Sequence, residues 1–219
     1  MKLFLEILLL VLVLSCNQKK KELKVKEQTT EKQVDTLGVY NDVLNDLIEN
    51  YLYNNYLGEK AQLLVVDWFN KKIDETTYIN KINVLKNKVI TEDSLKGVLY
   101  IDGVFDGYTT NLESLNFVEN NNFYLEEVVV QISKENLYAV DSLKSNFVKI
   151  KRFRNSDEKK EFEVGDISFS KIVFNKNKDS AILYFSFVCG GKCGEGSLVL
   201  IKIIDGKWKV EKKYSLWEI

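Results

Sequence analysis

The sequence predicts an α+β fold, with N-terminal amphipathic helices packed on a C-terminal antiparallel β-meander. Leu37, Tyr40, Leu44, Leu47, Ile48, Tyr51 and Leu52 recur at three- and four-residue spacing opposite Asn41, Asp42, Asn45, Asp46 and Glu49, which is one apolar stripe on a helix. Four segments rich in Ile, Val, Phe and Tyr crowd the last third, Ile167 to Phe174, Ala181 to Val188, Ser197 to Ile204 and Lys207 to Trp217, each bounded by turn residues. Asp205-Gly206 joins the last two and reads as a two-residue hairpin, because the favoured primed turn needs positive φ. Helices first and strands last make α+β.

Taken in chain order, residues 1–15 read as an export leader: Met1-Lys2 is cationic, Leu3 to Leu14 is apolar apart from Glu6, and Leu14-Ser15-Cys16 closes the run. The apolar run is shorter than the roughly 20 residues a membrane-spanning helix needs. Leu12-Val13-Leu14-Ser15-Cys16 resembles a bacterial lipoprotein lipobox, although Glu6 departs from that pattern. The resemblance implies cleavage before Cys16 and acylation of Cys16 as the mature first residue. Residues 16–34 are then the lipidated cysteine and a flexible tether, charged and polar without apolar periodicity. As a flexible coil the tether spans roughly 20–25 Å.

Residues 35–219 are expected to form a single α+β domain. Asp35 or Thr36 can cap the first helix, and the Asn54-Asn55 and Gly58 region ends it. Ala61 to Trp68 (AQLLVVDW) is a compact apolar run between turn residues and is predicted as a buried strand. Glu75 to Val89 is predicted as a second amphipathic helix with Ile79, Ile82, Leu85 and Val89 on one face. Thr91 to Leu95 and Asn111 to Leu115 suggest short helical turns, and Glu119 to Asn122 a loop. Glu127 to Ile132 (EVVVQI) is predicted as a strand, with Ser133 capping a short helix through Tyr138. The meander occupies about 166–218, with one face on the core and helices laid against that face.

Composition narrows the chemistry. A net charge of −1 lacks the basic footprint of a nucleic-acid binder, so no nucleic-acid partner is expected. The chain has no histidine, which removes the commonest general base and metal ligand together with the Ser-His-Asp arrangement. Proline is absent as well, read with the abundant Lys, Asn and Ile as codon bias. No cofactor and no metal site are expected.

Cys189 and Cys193 enclose Gly190-Gly191-Lys192. If those three residues form a hairpin loop, the cysteines face each other at a distance a disulfide tolerates. A structural bond pinning the turn, two reduced cysteines and a redox-active pair all remain open. The spacing is not Cys-x-x-Cys, and zinc would need further soft ligands. The glycines around Lys192 do not make a phosphate cradle, because no helix is predicted to follow. Tyr51, Tyr53, Tyr56, Trp68 and Phe69 could pack as core or line a groove. Trp208 and Trp217 are read as sheet-face residues. Lys149 to Arg154 reads as a solvated edge balanced by Asp157 and Glu158. Glu126-Glu127 and Asp102 with Asp106 do not rise above chance among 32 acidic residues.

From Ile167 onward the chain resembles a family of uncharacterised bacterial exported proteins and lipoproteins. The resemblance is carried by Ile167-Ser168-Phe169-Ser170, Phe174-Asn175, the Cys189 to Gly196 loop (CGGKCGEG), Asp205-Gly206-Lys207-Trp208 and Leu216-Trp217-Glu218-Ile219. The resemblance implies an α+β envelope protein and brings no catalytic residues with it. The expectation is therefore a lipid-anchored protein of the bacterial cell envelope, held through acylated Cys16, by default at the outer membrane facing the periplasm. Its body is read as a non-catalytic binding or structural module, with an unidentified envelope protein as possible partner. The alternatives are an envelope enzyme using carboxylate or Ser/Lys groups, or a thiol–disulfide module using Cys189 and Cys193.

Overall fold

The computed structural model describes residues 34–101, 104–105, 112–121, 123–132, 136–137, 139–152 and 162–219. The leader, Cys16, nearly all of the tether, Asp102, Asp106, Asn111, Asn122, Ser133, Tyr138, Arg154, Asp157 and Glu158 lie outside the described residues. The α+β expectation holds. Helices α1 (Thr36–Asn50), α2 (Tyr53–Leu57), α3 (Glu59–Phe69) and α4 (Glu75–Thr91) come first, and a 3₁₀ turn at Asp93–Leu95 follows them. Strands β1 (Val98–Ile101) and β2 (Val104–Phe105), helices α5 (Leu112–Asn120) and α6 (Leu125–Ile132), and strands β3 (Asn136–Leu137) and β4 (Lys149–Arg152) form the middle. Strands β5 (Glu163–Phe169), β6 (Val173–Phe174), β7 (Ser180–Gly190), β8 (Cys193–Ile204) and β9 (Lys207–Glu218) complete the chain.

The predicted meander is present as β5–β7–β8–β9, all antiparallel, but it is part of a larger mixed sheet. Strand β1 joins its β5 edge in parallel, and β4 joins β1 in parallel, giving seven strands with β6 beside β7. The segment predicted as one strand from Ile167 to Phe174 is two. Ser170 breaks it and stitches the gap: its Oγ accepts from Tyr184 N at 2.9 Å, its N donates to Tyr184 O at 2.9 Å, and its carbonyl accepts from the Tyr40 hydroxyl at 2.8 Å. The Asp205-Gly206 turn is as predicted, with φ of 53° and 76° and Ile204 opposite Lys207.

The single covered face is corrected to two. Ala181, Leu183, Phe185 and Phe187 of β7 pack with Val39, Leu44, Leu47 and Ile48 of α1 in one core. The alternate residues Ile182 and Tyr184 pack with Val118 of α5 and Val128 and Ile132 of α6 in a second. Successive side chains on a strand point to opposite sides, so helices cover both faces of β7 and β8. This is why Ala181 to Phe185 of β7 reads as an unbroken apolar run rather than an alternation.

Two predicted strands are helices. Ala61 to Trp68 lies in α3, where Ala61, Leu64 and Val65 fall on one stripe against Tyr78 and Ile82 of α4. Glu127 to Ile132 lies in α6, where Val128 and Ile132, four apart, are both fully buried. Tertiary burial of one helical stripe outweighs the strand preference of Val and Ile there, and Glu126 and Glu127 complement the first-turn dipole. Helix α5 runs to Asn120, shortening the predicted 119–122 loop, and Asn136–Leu137 is a strand, not helix.

Helix α1 also seals the exposed edge of the sheet. Asp35 caps its start, accepting from Gly38 N at 3.0 Å. One turn apart on its polar face, Asp42 accepts from Trp208 N at 3.1 Å and Asp46 from Val210 N at 2.9 Å. These are outward-pointing ladder donors of β9, which an unsealed edge would offer to another strand. Asp46→Ala is expected to cost about 1–3 kcal/mol by orphaning the Val210 donor. Asp46→Asn, which keeps an acceptor, should lose markedly less. Urea denaturation midpoints of the two variants measure the difference.

Candidate functional site: an apolar helical hairpin

Helices α3 and α4 form an antiparallel hairpin with a small core of its own. Gly58, at φ 65°, turns the chain from α2 into α3. Lys71, in the left-handed region at φ 57°, ends α3, with its N–H donating to Trp68 O at 2.9 Å. Asp74 then caps α4 by accepting from Thr77 N at 2.6 Å, and this backbone hydrogen bond holds its carboxyl below the usual range. Between the helices Ala61, Tyr78 and Ile82 are buried, with Trp68 stacked on Tyr78 at 5.2 Å between ring centroids.

The hairpin is fixed to the body by polar contacts along α4. The Tyr53 and Tyr78 hydroxyls lie 3.0 Å apart. Burial, then that hydrogen bond, pushes the Tyr78 phenol pKa well up. Lys86 Nζ donates to the Glu49 carbonyl at 2.6 Å and lies 4.7 Å from the Tyr53 ring centroid. Burial pushes the Lys86 pKa down, against an opposing pull from Glu49.

The outer surface of the hairpin is apolar. Phe69 is 81% exposed, Val84 66%, Leu63 58% and Val66 50%. On α3, Leu63, Val66 and Phe69 follow one another at three-residue steps, which is a stripe pointing away from the hairpin's core. A groove of about 440 Å³ runs between the helices over Leu63, Leu64, Val84 and Leu85, and Lys60, Asp67, Asn80 and Lys81 also line it. Single exposed apolar residues are ordinary, whereas several of them gathered on one helical hairpin suit a contact surface.

No protein-family model, curated protein or solved structure matches the chain. The assignment of a site therefore rests on its own geometry.

A polar groove of about 460 Å³ lies between α1 and the start of β9. Its Asp42 and Asp46 are occupied by β9 donors, and Asn41 and Asn45 hold the backbone of Lys144 at 2.8 and 2.7 Å. Those groups form a joint between elements. Among the described residues, no group of three or more His, Cys, Asp or Glu could hold a metal ion.

Cys189 and Cys193 are disulfide-bonded, with Cα atoms 5.1 Å apart. The loop is tighter than the three residues expected: Gly190 pairs with Cys193, leaving Gly191-Lys192 as the turn and Cys189 in a bulge. A strand follows the glycines, as expected, and Asn55 Nδ2 lies 3.8 Å from Cys193 Sγ, so the hairpin tip abuts α2. The aromatic residues singled out in sequence occupy separate environments. Tyr56 is buried against Phe147 at 5.6 Å, Tyr51 lies under Lys213 Nζ at 5.4 Å, Tyr53 of α2 packs against both the main core and the hairpin core, Trp68 belongs to the hairpin, and Phe69 stands out from it. Trp208 is buried in the α1-side core, and Trp217 donates from Nε1 to the Tyr184 hydroxyl at 3.0 Å. Lys149–Arg152 is the edge strand β4, with Arg152 3.7 Å from Asp141. Glu126 and Glu127 are exposed on α6.

Sequence reasoning missed Leu63, Val66 and Val84 as surface groups. The signal was present: Ala61 to Trp68 holds more apolar residues than one buried helical stripe can use.

Proposed function

We propose that this is a lipid-anchored cell-envelope protein that acts by binding rather than by catalysis. Residues 1–15 are its leader, acylated Cys16 its membrane attachment, residues 16–34 its tether, and residues 35–219 its working body. The outer membrane, on its periplasmic side, is the proposed site of action. The observation that carries the binding reading is the exposed apolar surface of the α3–α4 hairpin, supported on an inner core that leaves Leu63, Val66, Phe69 and Val84 uncovered.

Anchoring follows from the chemistry of acylation. One acyl chain binds a bilayer reversibly, and two or more hold firmly, at about 0.8 kcal/mol per buried methylene. Intact-mass measurement of the membrane fraction should show a chain beginning at Cys16 with acyl mass added. Cys16→Ser is expected to abolish cleavage and acylation together, leaving a precursor that begins at Met1 and is lost from the outer-membrane fraction. An unchanged mass and fractionation pattern would overturn the assignment.

A further inference from the structure

We propose that the Cys189–Cys193 disulfide is a thiol-exchangeable latch, whose state decides whether the C-terminal end of β9 stays docked on β8. The inference goes beyond the binding reading above and does not depend on where the protein is held. The bond adds little to the register of its own strands. Strands β7 and β8 pair without a break from Ser180 opposite Lys202 to Val188 opposite Gly194, and the disulfide lies beyond that ladder. Helices cover both faces of the ladder, so packing holds it as well as hydrogen bonds.

Access to the tip is open. Gly190, Gly191 and Lys192 are exposed, and a Cβ built on Gly190 or Gly191 would stand in open space. The two half-buried cysteines have unlike surroundings. Cys193 Sγ accepts from Asn55 Nδ2 at 3.8 Å and follows the exposed Lys192, whereas Cys189 packs on the apolar α1-side core. An amide donor and a nearby cation favour the thiolate form, and the better-stabilised thiolate leaves faster. In the exchange step, the thiolate of a dithiol reductant bonds to Cys189 Sγ. The Cys189–Cys193 bond breaks, and its electron pair leaves on Cys193 Sγ. The second thiol of the reductant, giving its proton to solvent, then displaces Cys189 from the mixed disulfide. The reductant ends as a disulfide, and Cys189 and Cys193 as thiols, each having taken up one proton.

The C-terminus is attached next to this latch. The Gly194 carbonyl accepts from Ile219 N at 2.9 Å. The Trp217 ring lies across Gly194 and Gly196: a Cβ on Gly194 would be 3.3 Å from Trp217 Cζ3, and one on Gly196 would collide with the indole. Trp217 Nε1 donates to the Tyr184 hydroxyl at 3.0 Å. The last pairs of β8 with β9, Glu195 with Glu218 and Gly196 with Trp217, are separated from Ser197 by a register shift. The tip of β7 is itself bulged at Cys189, with Gly190 at φ 136°. Two short ends beyond irregularities have little ladder of their own, so the crosslink keeps Gly194 in place for Ile219 and Trp217. By chain entropy alone, a ring this small opposes opening of the tip by about thirtyfold.

The test reduces the folded full chain with dithiothreitol and, separately, with glutathione. Dithiothreitol is expected to open the bond well before the chain unfolds, with circular dichroism unchanged. After early quenching with N-ethylmaleimide, glutathione should sit on Cys189 and maleimide on Cys193. Trypsin cleaves after Lys192, so the two cysteines report separately, and apart from Cys16. Reduction should shift the indole N–H resonance of Trp217, assigned with Trp217→Phe. It should also lower the protection of the Ile219 amide against hydrogen exchange about thirtyfold, while the Val199 amide in the middle of β8 stays as before. Cys189→Ser with Cys193→Ser should show the reduced behaviour without any reductant.

Reduction no faster than global unfolding would overturn the latch. So would loss of circular dichroism on reduction or in the double variant, which marks a bond that the fold requires. An opened bond with the Trp217 resonance and Ile219 protection unchanged would overturn the coupling to β9. Glutathione on Cys193 with maleimide on Cys189 would overturn the assigned leaving group.

Discussion

Phe185→Ala is expected to destabilise the protein by about 3–5 kcal/mol, read as a fall in urea midpoint at unchanged m-value. Phe185 is fully buried on β7, paired with Phe169 of β5 on one side and Ser197 of β8 on the other. Its ring belongs to the core shared with α1, which also holds Leu44 and Leu47. Truncation removes the transfer free energy of the ring and leaves a cavity that strands held on both sides cannot collapse to fill. Ile203→Ala, at the half-exposed end of β8, serves as control and should stay within about 0.5 kcal/mol. A loss at Phe185 no larger than at Ile203 would mean that this sheet face is not the main core.

The contrast between β7 and α3 shows how much the sequence disclosed. Strands β7, β8 and β9 were legible because β-branched and aromatic residues coincide there with turn residues of definite backbone demand, above all Asp205-Gly206. Helix α1 was legible because its stripe is bounded by a polar face. The parallel strands β1 and β4 were not, since Val98–Ile101 is too short for periodicity to identify it. Its partners, Lys149–Arg152 and Glu163–Phe169, are set by long-range pairing.

Helix α3 failed for a more informative reason. A helix with a buried stripe and an exposed apolar stripe has apolar residues nearly all round, and over eight residues that resembles a buried strand. The candidate site was thus hidden by the same residues that constitute it. Departures of this kind, where local pattern disagrees with the fold, gather at places selected for something besides stability. Cys189 and Cys193 were legible as facing residues, whereas the bulge that brings them together was not.

Gly165→Ala is expected to lose more than about 3 kcal/mol despite adding one methyl group. Gly165 has φ 147°, a backbone conformation that L side chains rarely adopt, and such strain alone is worth about 1–3 kcal/mol. A Cβ there would also fall 2.5 Å from the Val188 carbonyl oxygen and 2.8 Å from Phe187 Cε2. A backbone atom cannot swing aside as a side chain can, so β5 and β7 would have to separate. The position matters because β5 joins the two halves of the sheet, antiparallel to β7 and parallel to β1. The register shift beside Leu99, which pairs with Gly165 while Val98 pairs with Glu163, absorbs one extra residue at that junction. Gly191→Ala is the matched control: a Cβ there meets nothing within 4 Å, and the change should be close to neutral. Comparable unfolding midpoints for the two variants would show that β5 does not need glycine to hold the parallel and antiparallel halves in one sheet.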